Sequence, residues 1–263
     1  MRAFNTIAVT QDGFVATIEI SRPPHNFFDI EMINDIADAC GILDEDASCR
    51  AIVLAAKGTA FCAGAKLGGD NDVGDLLVQK NQAGNTQSLY HQAVRLFRTK
   101  KPIVGAIHGA AVGGGLGLAL VPDIRVTCAE ARFCANFTKL GFHPGFGLTV
   151  TLPALIGPSK AALMFYTSRR ITGTDAVEMG LADVLVPQAE VRSAAQKLAA
   201  EIAECAPLGV IATRATMRDG LADRVLAATN IELEKQLALR KTEDFKEGVD
   251  SVNQRRAANF KGR

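Results

Sequence analysis

Net charge is nearly absent from this chain: 29 Lys and Arg stand against 28 Asp and Glu, leaving +1 over 263 residues. A surface without a dominant sign argues against nucleic acid or an anionic membrane as the main partner. Paired cysteine motifs are missing as well. The six cysteines, at 40, 49, 62, 128, 134 and 205, form no C-x-x-C and stand at no zinc-finger spacing from a histidine. They read as reduced, mostly buried thiols of a cytoplasmic protein. No apolar segment with a small-residue cleavage site opens the chain, which speaks against a secretory leader. The most apolar stretch, Pro102–Val121, is rich in glycine and carries His108, so it reads as a buried strand and helix, not a membrane span. Nucleotide fingerprints fail too. Gly113-x-Gly115-x-x reaches Leu118 instead of glycine, no Gly-Lys-Ser/Thr follows a glycine run, and there is no Gly-x-Ser-x-Gly elbow. Internal repeats and low-complexity segments are also lacking.

What is present is enough apolar material, 48% of residues, for a sizeable core without staples. Ile7–Val9 and Val15–Ile20, separated by Gln11-Asp12-Gly13, give a hairpin signal. Ile30–Leu43 has helical spacing with Asp29 as its N-cap. Ala51–Ala56, Ile103–Ile107 and Ile124–Cys128 read as buried strands. Ser88–Arg98, Gly113–Leu120 and the residues following the Gly141–Leu148 loop read as helices, and 68–85 is a Gly/Asp/Asn-rich segment. From about Ala189 the pattern is helical to the end. Strands alternating with helices, then a helical tail, predict an α/β core over 1–190 and a C-terminal helical region over 191–263.

Two segments stand out, each directly after a buried strand: Phe61–Leu67 and Ala110–Gly117. Small residues at a strand-to-helix turn let backbone approach a ligand closely. The first N–H groups of the following helix are unpaired and partly positive. Two such turns on neighbouring strands would aim their donors at one developing oxyanion. Taken alone, a glycine run is more often a close helix–sheet packing contact.

Several ordered motifs go further. They include Ser21-Arg22-Pro23, Ala60-Phe61-Cys62-Ala63-Gly64-Ala65, Lys101-Pro102-Ile103-Val104-Gly105-Ala106-Ile107-His108-Gly109, Gly113-Gly114-Gly115, Leu140-Gly141-Phe142-His143-Pro144-Gly145 and Ala258-Asn259-Phe260-Lys261. In these, almost end to end, the chain resembles the crotonase (enoyl-CoA hydratase/isomerase) superfamily. The resemblance implies a spiral of ββα units with a C-terminal helical extension and an acyl-CoA substrate. Coenzyme A enters as part of that substrate, with no further cofactor and no metal. The resemblance also implies a homotrimer or a pair of trimers, with the helical region serving trimerisation and CoA contact. It places the oxyanion hole at the N–H groups of Ala65 and Gly114. Ala63, Gly64, Leu67 and Gly113 then form backbone against the substrate, His25 approaches CoA, Tyr90 lies on the helix over the acyl pocket, and Arg255 meets a nucleotide phosphate. A solvated helix end is the alternative role for Arg255 and its neighbour Arg256.

The departures from the family pattern are specific. Hydration there uses two carboxylates, one as base toward water and one as acid toward the α-carbon. Their positions hold Gly117 and Phe137, which leaves Phe137 as a wall of the acyl pocket. A third position used by other members holds Gly145. The resemblance thus implies an oxyanion or enolate holder acting by hydrolysis, decarboxylation or C–C cleavage. The alternative is a non-catalytic acyl-CoA-binding or scaffold member. His143 is the candidate acid or base, its alternative being a loop histidine bonded to a backbone carbonyl. His91 reads as a surface position, His108 and Asp123 as structural.

Overall fold

The computed structural model describes residues 3–66, 77–80 and 86–263. Leu67 and most of the 68–85 segment lie outside the described residues. β1 (Ile7–Asp12) and β2 (Val15–Ile20) form the expected antiparallel hairpin. β2 then pairs in parallel with β3 (Ala51–Ala56), β3 with β7 (Ile103–Ile107), β7 with β9 (Ile124–Thr127), and β9 with β12 (Val184–Leu185), giving a six-stranded sheet. Every residue of β3 and β7 is buried. That is the sign of a parallel sheet covered on both faces, and it explains why these strands read as unbroken apolar runs. α1 (Ile30–Glu45) begins where the Asp29 carboxylate accepts a hydrogen bond from Met32 N at 2.9 Å, an N-cap that satisfies one orphan donor of the first turn.

A second sheet was not visible in the sequence. It consists of β4 (Ala60–Cys62), β8 (Ala110–Val112) and β10 (Arg132–Cys134), mutually parallel, with β11 (Ile171–Thr172) antiparallel on the edge. β4, β8 and β10 each follow a strand of the first sheet, namely β3, β7 and β9. The chain therefore steps from sheet to sheet three times in the same sense, which makes the spiral. Three-residue strands are too short to carry a period-two signal. A small hairpin, β5 (Val78–Lys80) with β6 (Thr86–Ser88), was also unforeseen.

Helices close the structure: α2 (Leu89–Phe97), α3 (Gly114–Ala119), α4 (Leu148–Ile156), α5 (Pro158–Thr167), α6 (Gly173–Met179), α7 (Val191–Glu204), α8 (Pro207–Met217), α9 (Leu221–Leu239) and α10 (Glu243–Asn253). α7 lies across β2, β3, β7 and β9, its buried stripe being Val191, Ala195, Ala199 and Ala203. α9 packs on α2 and α4, and α10 packs on the 3-10 turn Thr138–Leu140. Five of the six cysteines are buried and unpaired, and Cys205 is exposed. Among the described residues, no helix is long and apolar enough to cross a membrane.

Asp123 ties the last helices to the sheet. Its carboxylate accepts from Ile103 N at 2.8 Å, Arg214 Nε at 2.8 Å and Arg218 Nη1 at 2.6 Å. The two guanidinium side chains are only 9% and 14% exposed. Removing their partner would leave buried charge uncompensated, which is expensive. Asp123→Ala is expected to destabilise the chain by about 3 kcal/mol, read as a lowered guanidinium midpoint. A midpoint equal to the parent's would contradict this assignment.

Candidate functional site

The register of the second sheet builds the site. Ala60 pairs with Ala110 and Cys62 with Ala111, with an irregularity between them, while Cys134 pairs with Val112. Chain leaving β4, β8 and β10 therefore emerges side by side as Ala63-Gly64-Ala65, Gly113-Gly114 and Ala135-Asn136-Phe137. Gly64 has φ 84°, and a Cβ there would lie 2.7 Å from Val112 O and 3.7 Å from Gly114 N. Only glycine permits both the left-handed backbone and that approach. A Cβ on Gly115 would come within 2.0 Å of Cys62 O, so α3 lies directly on the end of β4.

Leu116 N and Gly117 N donate to Gly113 O at 3.0 and 3.3 Å. The Gly114 and Gly115 N–H groups precede these first intrahelical bonds and face outward from the helix start. On the other side, Ala63 N donates to His25 O at 2.9 Å and Phe28 N to Gly64 O at 3.0 Å. Asn26 holds that segment, its Nδ2 donating to Lys57 O at 2.6 Å and Ala60 O at 2.8 Å. The two turns thus lie close together, and Ala65 and Gly114 line one cavity.

That cavity is about 60 Å³. Its rim is Ala63, Gly64, Ala65, Gly113 and Gly114. Its walls are Phe28, Leu77, Leu89, Val112, Phe137, Leu140 and Phe142. Tyr90 and Asn136 are the polar side chains among the described lining residues. Tyr90 is committed: its hydroxyl donates to Gln236 Oε1 at 2.7 Å, and Gln236 Nε2 donates to His143 O at 2.7 Å. Burial, with Glu232 nearby, holds the Tyr90 phenol well above its usual pKa, so it is neutral at physiological pH.

The three positions without carboxylates are occupied by aromatic material. A Cβ on Gly117 would sit 2.7 Å from Cβ, Cγ and Cδ1 of Phe146. A Cβ on Gly145 would sit 2.1 Å from the Tyr90 hydroxyl oxygen and 2.7 Å from Gln236 Nε2. The Phe146 ring is fully buried, 5.8 Å from the Phe28 ring and 6.5 Å from the Tyr90 ring. Its backbone is left-handed, φ 65°, a strained state for a phenylalanine that persists where surrounding packing enforces it.

The loop carrying Phe146 is held from α9. Glu232, 1% exposed, accepts from Gly147 N at 2.7 Å, Thr149 N at 3.0 Å and Thr149 Oγ1 at 2.6 Å. Burial pushes its pKa up, against these bonds and the nearby His143. Thr229, Glu232 and Gln236 all lie on the buried face of α9. Sequence reasoning missed them because a polar stripe on a helix resembles a solvated face. The signal was the spacing of three, then four, residues on one side.

Among the other sequence candidates, Phe137 is 6% exposed in the cavity wall. His143 is half-buried, with Nδ1 2.7 Å from Pro144 O, and is not among the described residues lining the cavity. The Nδ1 contact is that of its backbone-bonding alternative. His25 is exposed, its ring 5.6 Å from that of Phe27, and its carbonyl positions the first turn. His91 Nε2 lies 2.7 Å from Asn230 Oδ1 on the surface, and His108 Nε2 lies 3.0 Å from Gly58 O. Arg255 is exposed on the wall of a neighbouring cavity of about 650 Å³. Leu67 falls outside the described residues. Cys62 is fully buried, its thiol pushed up to about 12, which removes it as a nucleophile.

A family model described as enoyl-CoA hydratase/isomerase matches residues 10–263. A probable enoyl-CoA hydratase of Bacillus subtilis (strain 168) is 30% identical over 265 residues, covering 98% of this chain and 99% of the relative. A crotonyl-CoA hydratase of Syntrophomonas wolfei is 28% identical, covering 98% of each chain. The crystal structure of an enoyl-CoA hydratase/isomerase from Pseudoalteromonas atlantica T6c superposes with a TM-score of 0.87 at 26% identity, covering 98% of this chain and 100% of that one.

The Phe146 ring sets a steric test. Gly117→Glu is expected to destabilise the protein by roughly 1–3 kcal/mol through overpacking. Phe146→Ala in the same chain should relieve part of that loss, giving a non-additive pair in a thermal-denaturation double-mutant cycle. Strict additivity would show that the two positions do not share space.

Proposed function

We propose, from the premise that the chain belongs to the enoyl-CoA hydratase/isomerase family, that it binds an acyl-CoA thioester and holds its carbonyl oxygen between the N–H groups of Ala65 and Gly114. The reaction we assign is not hydration. It is hydrolysis, decarboxylation or C–C cleavage, placing the protein as a lyase, isomerase or hydrolase acting on acyl-CoA. The observation that carries this is the pair of facing turns over a cavity whose 117, 137 and 145 positions carry no carboxylate. Donors fixed at the helix start need no reorganisation as the oxyanion or enolate forms, so they stabilise that charge and not the neutral thioester. Water addition needs a base beside the β-carbon, and the described lining supplies Asn136 and a neutral, committed Tyr90 in its place. The relatives' names speak of hydratases, and this site departs from what that chemistry requires.

Backbone around Gly64 and Gly113 is assigned to the acyl-CoA, that around Ala63 and Leu67 to the adenine edge, and Phe137 and Tyr90 to the acyl end. His25 and Arg255 are assigned to the CoA side, and Arg255 suits a phosphate as an exposed guanidinium on a cavity wall. A homotrimer or hexamer fits the exposed Leu208 and Met217 of α8, 81% and 82% accessible. The cytoplasm fits its unpaired thiols. A second reading, a non-catalytic acyl-CoA binder, is favoured by the engagement of His143 with Pro144 O.

Purified protein is expected to bind CoA esters, to leave crotonyl-CoA unhydrated, and to turn over a member of a panel spanning thioester hydrolysis, decarboxylation and C–C cleavage. Ala65→Pro, which deletes one donor, should lower that turnover about 10²-fold or more. Rapid hydration of crotonyl-CoA would overturn the assignment. Binding without any turnover would establish the second reading.

A further inference from the structure

The cavity of about 650 Å³ shares Val112, Asn136 and Leu140 with the thioester cavity. Its described lining carries five cations, Lys139, Arg169, Arg170, Arg255 and Arg256, and no Asp or Glu. Two of the five are occupied. Arg256 is held by the Glu247 carboxylate at 2.5 and 2.8 Å, and Arg169 Nε donates to Thr167 Oγ1 at 3.3 Å. Lys139 and Arg170 have no ion-pair partner among the described residues. Both line the basin together with the buried Cys134.

Asn136 stands at the junction. Its Oδ1 lies 3.0 Å from the point a Gly113 Cβ would occupy, beside the oxyanion donors. Its amide has no hydrogen-bond partner among the described residues, whereas Tyr90 is spent on Gln236. A group leaving the apolar cavity in this direction meets first a free amide and then uncompensated cations. A neutral chain gains nothing from that path, and a carboxylate gains at each step. The same carboxylate would be repelled by acidic side chains at 117, 137 or 145, and this chain has none there.

We infer that Asn136, Lys139 and Arg170 form a subsite for a carboxylate carried by the acyl group, making carboxyacyl thioesters the preferred ligands of this site. The inference rests on the acyl-CoA reading above. The CoA phosphates are the other source of anionic charge for this basin, and the test separates the two.

Affinities are measured by titration calorimetry on the full chain for succinyl, glutaryl and adipyl thioesters against neutral acyl thioesters of equal length. Each is prepared both as the CoA ester and as the pantetheine ester, which lacks the nucleotide phosphates. At least one carboxyacyl ester is expected to bind about tenfold or more tightly than its neutral counterpart, in both series. Arg170→Gln and Asn136→Ala should each remove most of that preference, and Arg170→Gln should leave the neutral pantetheine ester unaffected. Equal affinity for carboxyacyl and neutral esters overturns the proposal. So does an Arg170→Gln effect that is the same for both acyl types and disappears in the pantetheine series, because the basin then reads phosphate. Failure of every CoA ester to bind would instead remove the acyl-CoA reading itself, and the subsite with it.

Discussion

The approach of α3 to the end of β4 is the contact on which the rest of the site depends. With no side chain at 115, the helix backbone lies on the Cys62 carbonyl, and with none at 64 the first turn lies on the Val112 carbonyl. A methyl group at either place would push the helix start away from the first turn, and Ala65 and Gly114 would no longer line one cavity. Parallel pairing of β4 with β8 fixes the direction of approach, because parallel strands end at the same edge of a sheet. Conformational freedom alone does not account for these glycines. They are the price of bringing two strand ends within van der Waals contact.

Much of this was legible from the residues, for a physical reason. Buried strands β3, β7 and β9 are long enough to show as apolar runs, and Asp29 marks its helix by cap chemistry. The second sheet left no such mark. Its strands are three residues long, and their order is set by tertiary pairing. The glycine turns were visible as composition, yet their meeting follows from the hidden sheet. Ala65 and Gly114 could be named from the family resemblance, and the register then brings them together. Phe28, Phe146, Glu232 and Gln236 could not be named, because each acts through a contact across 80 or more residues or through a ring that fills space vacated elsewhere. Asn136 was overlooked for the plainer reason that a single amide beside a phenylalanine has no pattern.

Filling by aromatic rings changes what the vacated positions mean. Had Gly117 and Gly145 opened onto empty space, water would enter and could serve as a nucleophile or a proton carrier. Phe146 and the Tyr90 hydroxyl take that volume instead, so the cavity is small and its walls are mostly apolar. In such surroundings a fixed pair of N–H donors interacts strongly with a developing oxyanion, because little solvent competes. Glycine at 117 and 145 therefore shapes the cavity through the rings that pack there.

A buried carboxylate with a raised pKa beside such a cavity ordinarily invites assignment as the general base. Glu232 meets both conditions, and its hydrogen bonds decide against the role. One oxygen takes Gly147 N, and the other takes both donors of Thr149. Abstracting a proton would require breaking those bonds at the N-terminus of α4 and releasing the loop that carries Phe146. The raised pKa reflects the burial required to hold that loop, so Glu232 acts on the shape of the site. With Glu232 turned toward backbone, His143 bonded to Pro144 O and Tyr90 bonded to Gln236, Asn136 is the polar side chain lining the smaller cavity that has no hydrogen-bond partner among the described residues.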